Sequence, residues 1–176
     1  EEAAVTFKDL SAVSVSRGPG SYTGLRIGVA SAKGLCYALN IPLIAVDTLE
    51  GMSAVFRDQF SFVDEQELML PMIDARRMEV YGAVYNRNLE VVLSVRAEVL
   101  EADSFETGKP LVLFGDGAAK AAELYAERPG IRYVPDFKPS AKGLIGRAYE
   151  KFIEGETEDI AYFEPFYLKE FLSTVR

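Results

Sequence analysis

Three consecutive apolar strands, followed by helices and strands in alternation, make an order that few architectures accept. The second half of this chain reads that way. The pattern predicts strands at 68–73, 80–85 and 91–95, joined by the polar turns Asp74-Ala75-Arg76-Arg77 and Asn86-Arg87-Asn88. A short helix near 102–106 leads to a strand at 111–114, the turn Gly115-Asp116-Gly117, a helix to about residue 127, a short strand at 132–134 and a last helix. Pro139-Ser140 opens that helix and Gly155 follows its end, and Leu144, Ile145, Ala148, Tyr149 and Phe152 read as an ordinary core stripe along it. The first half predicts a strand near 12–16, a helix to about 39, a strand at 43–46 and a helix from 48 to about 60. That β-α-β-α order repeats the tail of the βββ-α-β-α-β-α order behind it.

Duplication is the economical explanation of such an order. The expected fold is α/β, a two-lobed, duplicated ribonuclease-H-like architecture of the actin, hexokinase and Hsp70 type, with the first lobe incomplete. Residues 1–63 form the C-terminal half of the first lobe in this reading, and residues 64–176 form the second lobe with a C-terminal tail. The first repeat lacks its three-strand meander and first helix, about 50 residues on mean element lengths. The chain also starts at Glu1-Glu2 without Met, as a fragment would. With 176 residues and 49% hydrophobic content, it can still bury a substantial core.

Charge and residue types narrow the function. Nineteen Lys and Arg against 27 Asp and Glu leave a net charge of −8, which repels a nucleic-acid backbone and argues against autonomous tRNA or DNA binding. No apolar run approaches the ~20 residues of a membrane span, and no signal peptide is evident. The single cysteine, Cys36, cannot form an internal disulfide; it is expected to be an inert core thiol in a cytoplasmic protein. There is no histidine, so the commonest general base and the commonest transition-metal ligand are both missing.

The segment Ser16-Arg17-Gly18-Pro19-Gly20-Ser21-Tyr22-Thr23-Gly24-Leu25-Arg26-Ile27-Gly28 carries most of the remaining information. A Gly-Pro-Gly turn feeding a helix capped by Ser21 or Thr23 could present backbone N–H groups to an anion. It fits neither phosphate-loop pattern: no Gly-Lys-Ser/Thr follows, Thr23 stands where a dinucleotide fingerprint needs its third glycine, and Pro19 has no N–H. A tight strand-to-helix connection is the favoured reading, since such turns occur in every α/β protein. Within the helix, Gly24, Gly28 and Ala32 form one row of small residues and Ala30, Gly34 and Ala38 another. Interior glycines cost about 1 kcal/mol each against alanine, and small rows allow close approach of another backbone. One row can serve the helix's own sheet. The row Gly24, Gly28, Ala32 is expected to make a helix–helix contact, between chains if it faces a partner.

The run from Gly18 to Gly28, followed by Ala32-Lys33-Gly34-Leu35, resembles the signature of the TsaB (YeaZ) family. Ile73-Asp74-Ala75-Arg76 with Glu79-Val80-Tyr81, Gly115-Asp116-Gly117 and Glu164-Pro165-Phe166-Tyr167-Leu168 follow in that family's order. The resemblance implies the two-lobed fold and a non-catalytic dimerisation subunit of the bacterial complex that places threonylcarbamoyl on N6 of the adenosine 3′ to the anticodon. The catalytic subunit would be the paralogue TsaD and the third component the ATPase TsaE, with TsaC supplying threonylcarbamoyl-adenylate. A homodimer would be the alternative pairing without TsaD, and tRNA would be reached only through the complex. The partner interface would comprise Tyr22, Thr23, Gly24, Arg26, Gly28, Ser31, Ala32 and Leu35.

The resemblance also separates scaffold from catalyst. In the catalytic paralogue a Val-His-His-Met-Glu-Gly-His stretch holds a metal, and here the matching stretch is Val46-Asp47-Thr48-Leu49-Glu50-Gly51-Met52. Thr48 and Met52 replace the histidines and cannot substitute for them on a hard or borderline ion. The superfamily's "glycoprotease" label therefore finds no chemical support in this chain. Thr48 as a helix N-cap with Glu50 in the first turn accounts for the residues. No catalytic residue, metal ligand or cofactor of this chain alone is expected.

Weak nucleotide candidates are Asp74 and Arg76 in the first hairpin of lobe two, and Gly115, Asp116 and Gly117 at a strand end, where actin-type ATPases hold phosphate and nucleotide. The competing reading is an ATPase or small-molecule kinase binding ATP between lobes. Arg76 and Arg77 also read as solvated turn residues, and Gly-Asp-Gly as a helix-start turn. Tyr162, Phe163, Phe166, Tyr167 and Phe171 form an aromatic tail expected to pack onto the body.

Overall fold

A computed structural model describes residues 5–169, and Phe171 of the aromatic tail lies outside them. The elements run β1 (Val13–Gly18), α1 (Tyr22–Leu39), β2 (Leu43–Asp47), α2 (Thr48–Gln59), β3 (Leu68–Asp74), β4 (Glu79–Tyr85), β5 (Val91–Val99), β6 (Leu111–Phe114), α3 (Ala118–Leu124), β7 (Ile131–Tyr133) and α4 (Ile145–Glu154). The expected helix near 102–106 is absent: residues 102–105 form turns, and Phe105 sits at φ 57° with its ring over Gly82. α3 also stops at Leu124, short of residue 127.

Two sheets result. β1 and β2 pair in parallel, Val13 opposite Leu43 and Ser16 opposite Val46, and among the described residues β1 has a ladder on that side only. The larger sheet has the order β5-β4-β3-β6-β7, antiparallel across β5, β4 and β3 and parallel across β3, β6 and β7. The unit β6-α3-β7 therefore matches β1-α1-β2 in connectivity.

Strand alternation fills both faces of the larger sheet. Leu68, Leu70, Met72, Leu111 and Leu113 pack under Ala118, Ala121 and Tyr125 on one face. Met69, Val112 and Phe114 meet Leu49, Met52, Val55 and Phe56 of α2 on the other. Phe56 stacks on Phe114 at 4.3 Å and on Phe60 at 5.0 Å, and Phe114 meets Phe137 at 4.8 Å, so offset aromatic contacts fasten α2 to this sheet. On the small sheet, Ala32 and Cys36 of α1 pack with Leu43, Val13 and Val15, while Ala148 of α4 covers Ile44 and Val46 on the opposite face. Cys36 is fully buried as expected, and burial pushes its thiol pKa up.

The two sheets thus exchange helices. α2 follows the small sheet and packs on the large one, and α4 follows the large sheet and packs on the small one. They meet where α2 crosses the 3-10 turn Ala141–Leu144: a Cβ on Gly143 would collide with the Gly51 carbonyl oxygen, and one on Gly51 would lie 2.7 Å from Leu144 Cδ2. Only hydrogen fits at this contact. α4 departs from its expected role as an ordinary core helix. Ala148 is buried, but Ile145, Tyr149 and Ile153 are 62–66% exposed and Phe152 39%, so half of its apolar face is open.

The crossing gives a direct test. Gly143→Ala pushes a methyl group into backbone that cannot rotate away, with an expected cost of about 1–3 kcal/mol. Gly146→Ala, where nothing lies within 4 Å of the new methyl, should not lower the melting temperature. Calorimetric melting of the two variants distinguishes these outcomes.

Candidate functional site

The glycine-rich turn and the two turns singled out in the second lobe border one cavity of about 620 Å³, lined among others by Gly20, Ser21, Thr23, Asp74, Arg76, Tyr81 and Asp116. The sequence places these residues far apart; the sheets bring them together. Gly18 closes β1, Ser21 caps α1 by accepting from the Gly24 N–H at 3.4 Å, and Asp74 and Asp116 sit at the C-terminal ends of the parallel neighbours β3 and β6. Gly115 and Gly117 lie within the second turn, where Gly117 N–H donates to the Met72 carbonyl at 3.1 Å.

Internal bonds hold these acidic residues. Asp116 Oδ1 accepts the Asp74 N–H at 2.9 Å, and Asp74 Oδ1 accepts the Arg76 N–H at 2.5 Å and Lys120 Nζ at 2.9 Å. Lys120 donates further to the carbonyls of Arg77 and Glu79 at 2.5 and 3.0 Å, which ties the β3–β4 turn to α3. Lys120, with Arg76 second, keeps the Asp74 carboxyl pKa below its usual value. Sequence reasoning missed Lys120: nothing local links it to a carboxylate 46 positions away. Arg76 and Arg77 are exposed at positive φ, consistent with solvated turn residues.

The positions that match the paralogue's histidines are also occupied. Thr48 does not cap α2; Asp47 holds the cap position without a side-chain cap bond, and Thr48 Oγ1 lies 2.5 Å from Ser16 Oγ. Met52 is buried at 3% exposure against the Gly115 turn. Asp47 instead takes Arg17 in a two-point ion pair, at 2.7 and 3.1 Å, which locks the end of β1 to the end of β2 and raises the Arg17 pKa. Glu50 is half-buried 3.7 Å from Arg147, and burial pushes its carboxyl pKa up.

The proposed interface residues divide. Thr23, Gly24, Arg26, Ser31 and Leu35 are exposed and Gly28 is partly so. Ala32 is 5% exposed and packs on its own sheet, which removes it from any surface between chains. The Tyr22 ring lies 4.8 Å from that of Tyr167, tilted by 31°, and sits under Arg26, so it is partly engaged by aromatic and cation contacts of its own chain. The second small row, Ala30, Gly34 and Ala38, is exposed throughout, with Ile27 beside it at 64%.

Two sheets exchanging helices around a cleft place the chain in the two-lobed, actin-like class of α/β proteins. The family description of TsaD, tRNA N6-adenosine threonylcarbamoyltransferase, matches residues 1–163. The tRNA threonylcarbamoyladenosine biosynthesis protein TsaB of Escherichia coli is 31% identical over 170 residues, 92% of this chain and 71% of that protein. TsaB of Bacillus subtilis is 36% identical over 148 residues, 80% of this chain but only 57% of that protein. YeaZ from Pseudomonas aeruginosa superimposes with a TM-score of 0.75 at 28% identity, covering 95% of this chain and 78% of that one. A Pseudomonas aeruginosa structure described as similar to peptidase YEAZ gives a TM-score of 0.77 at 27% identity, with 96% and 78% covered. The chain belongs to the TsaB (YeaZ) family.

A depressed folded-state pKa at Asp74 stabilises the protein above the group's ordinary value, about 3.9, and that stabilisation is lost as pH falls through the folded value. Asp74→Asn should therefore melt below the wild type at pH 7, with the gap closing as pH drops beneath the ordinary carboxylate range. Paired melting curves across pH check this.

Proposed function

We propose that this protein is a non-catalytic scaffold in tRNA modification, required for N6-threonylcarbamoylation of the adenosine 3′ to the anticodon. It pairs with a TsaD-like catalytic paralogue and works with a TsaE-like ATPase. In this reading residues 1–63 end the first lobe and 64–176 form the second, with α2 and α4 exchanged between them. The protein acts in the cytoplasm; no helix among the described residues is long and apolar enough to cross a membrane. Its net charge of −8 leaves tRNA to the other subunits.

The observation that carries the proposal is the pairing of a disarmed cleft with an open helix face. Thr48 is bonded to Ser16 and Met52 is buried where the paralogue holds its metal, and Asp74 is taken by Lys120. The face of α1 bearing Ala30, Gly34 and Ala38 stands free of the chain's own sheet, and small residues there allow a second helix to approach closely. The partner surface accordingly comprises Thr23, Gly24, Arg26, Ser31 and Leu35 with this row, without the buried Ala32.

At Gly34 an added Cβ meets nothing within 4 Å among the described residues, so Gly34→Leu should leave the melting temperature unchanged. Affinity for the TsaD-like paralogue should fall ~5- to 150-fold, the equivalent of about 1–3 kcal/mol of overpacking. Ala32→Leu should do the reverse, lowering the melting temperature first. Calorimetric titration with the paralogue and melting of each variant alone decide the matter; unchanged affinity in Gly34→Leu places the interface elsewhere. ATP turnover by the pure protein that Asp74→Ala abolishes would favour the competing ATPase reading.

A further inference from the structure

The cavity between the two sheets has a wall that neither sheet supplies. Beyond α4 the chain returns across the cleft without regular secondary structure, and Phe166, Tyr167, Leu168 and Lys169 line the cavity opposite Asp74, Arg76 and Asp116. The return segment is fastened at separate points. Lys33 of α1 donates to the carbonyls of Ala161 and Phe163 at 3.3 and 3.0 Å. The Phe166 N–H donates to the Arg17 carbonyl at 2.7 Å, with the Arg17 guanidinium 5.7 Å from the Phe166 ring. The Tyr167 ring packs at a tilt against Tyr22, and Lys169 pairs with Glu79 of β4. Gly18 makes room for this path: it holds φ 123°, and a Cβ there would lie 2.5 Å from the Phe166 carbonyl oxygen.

We infer that residues 163–169 form a latch that closes the interlobe cavity by tying β1 and α1 on one side to β4 on the other. Among the described residues the fastenings are separate points and not a ladder: the two Lys33 bonds, one backbone bond, a tilted aromatic contact on a ring 36% exposed and the Lys169–Glu79 ion pair, so one can open without the next. Release of Lys169 and Tyr167 frees the wall of the cavity and leaves both sheets intact. The latch is also anchored on the helix whose outer face is open, so α1 and the cavity share one mobile element.

The chain contains no tryptophan, so Tyr167→Trp gives a single emitter on the latch. Ala75→Cys gives a thiol on the cavity wall, with native Cys36 fully buried. In this background Glu79→Lys sets two cations against each other. Acrylamide quenching of the tryptophan and maleimide labelling of the new thiol should both rise about two- to fivefold. Adding Lys169→Glu restores the pair with reversed sign and should return both readings to their starting values. Lys33→Met, which cuts the other anchorage, should raise both readings in the same way and covers the case in which Glu79→Lys does not fold. Quenching and labelling unchanged in the folded variants would overturn the latch. Quenching that rises without faster labelling would overturn its role as the wall of the cavity.

Discussion

The fold depends on one contact between two backbones. α2 and the turn before α4 cross at Gly51 and Gly143 with no side chain between them, and each helix then covers the sheet belonging to the other half of the chain. Because interiors are close-packed, a crossing at this distance leaves little freedom in how the halves sit. The aromatic series Phe60, Phe56, Phe114 and Phe137 then fixes α2 on the larger sheet. The cavity takes its lining from the turn after β1, from α1, β3 and β4, and from the turn after β6, so its shape follows from how that crossing sets the two halves.

Much of this was legible in the chain, and the reason is periodicity. The strands of the meander, the β-α-β order in each half, α1 with its Ser21 cap and the Gly155 stop all follow from alternation, helical spacing and turn residues acting within a few positions. What was not legible depends on partners far along the chain. Phe105 left the expected short helix because its ring found Gly82 and Arg96. Thr48 gave up a cap because Ser16, 32 residues earlier, offered its hydroxyl a partner. The apolar stripe of α4 was read correctly as apolar, but a helical pattern does not say what will cover it, and half is open.

The candidate site shows the same division. The turns carrying Asp74 and Gly115-Asp116-Gly117 do converge as their strand ends implied, since β3 and β6 are parallel neighbours. Their chemistry was decided by Lys120, which local pattern could not assign to Asp74. On α1 the two small rows were equivalent in sequence, and only the position of the sheet determined which faced inward: Ala32 packs on Leu43 and Val13, while Ala30, Gly34 and Ala38 look out. The aromatic tail was expected on the body; its cation and carbonyl partners, Lys33 and Arg17, give the contact its address.

The end of β1 has a consequence for which residues that position accepts. At φ 123° Gly18 lies where L side chains rarely go, and a Cβ there would also lie 2.5 Å from the Phe166 carbonyl oxygen. Any substitution at residue 18 therefore strains its own backbone and displaces the return segment together, and no rotamer relieves either effect.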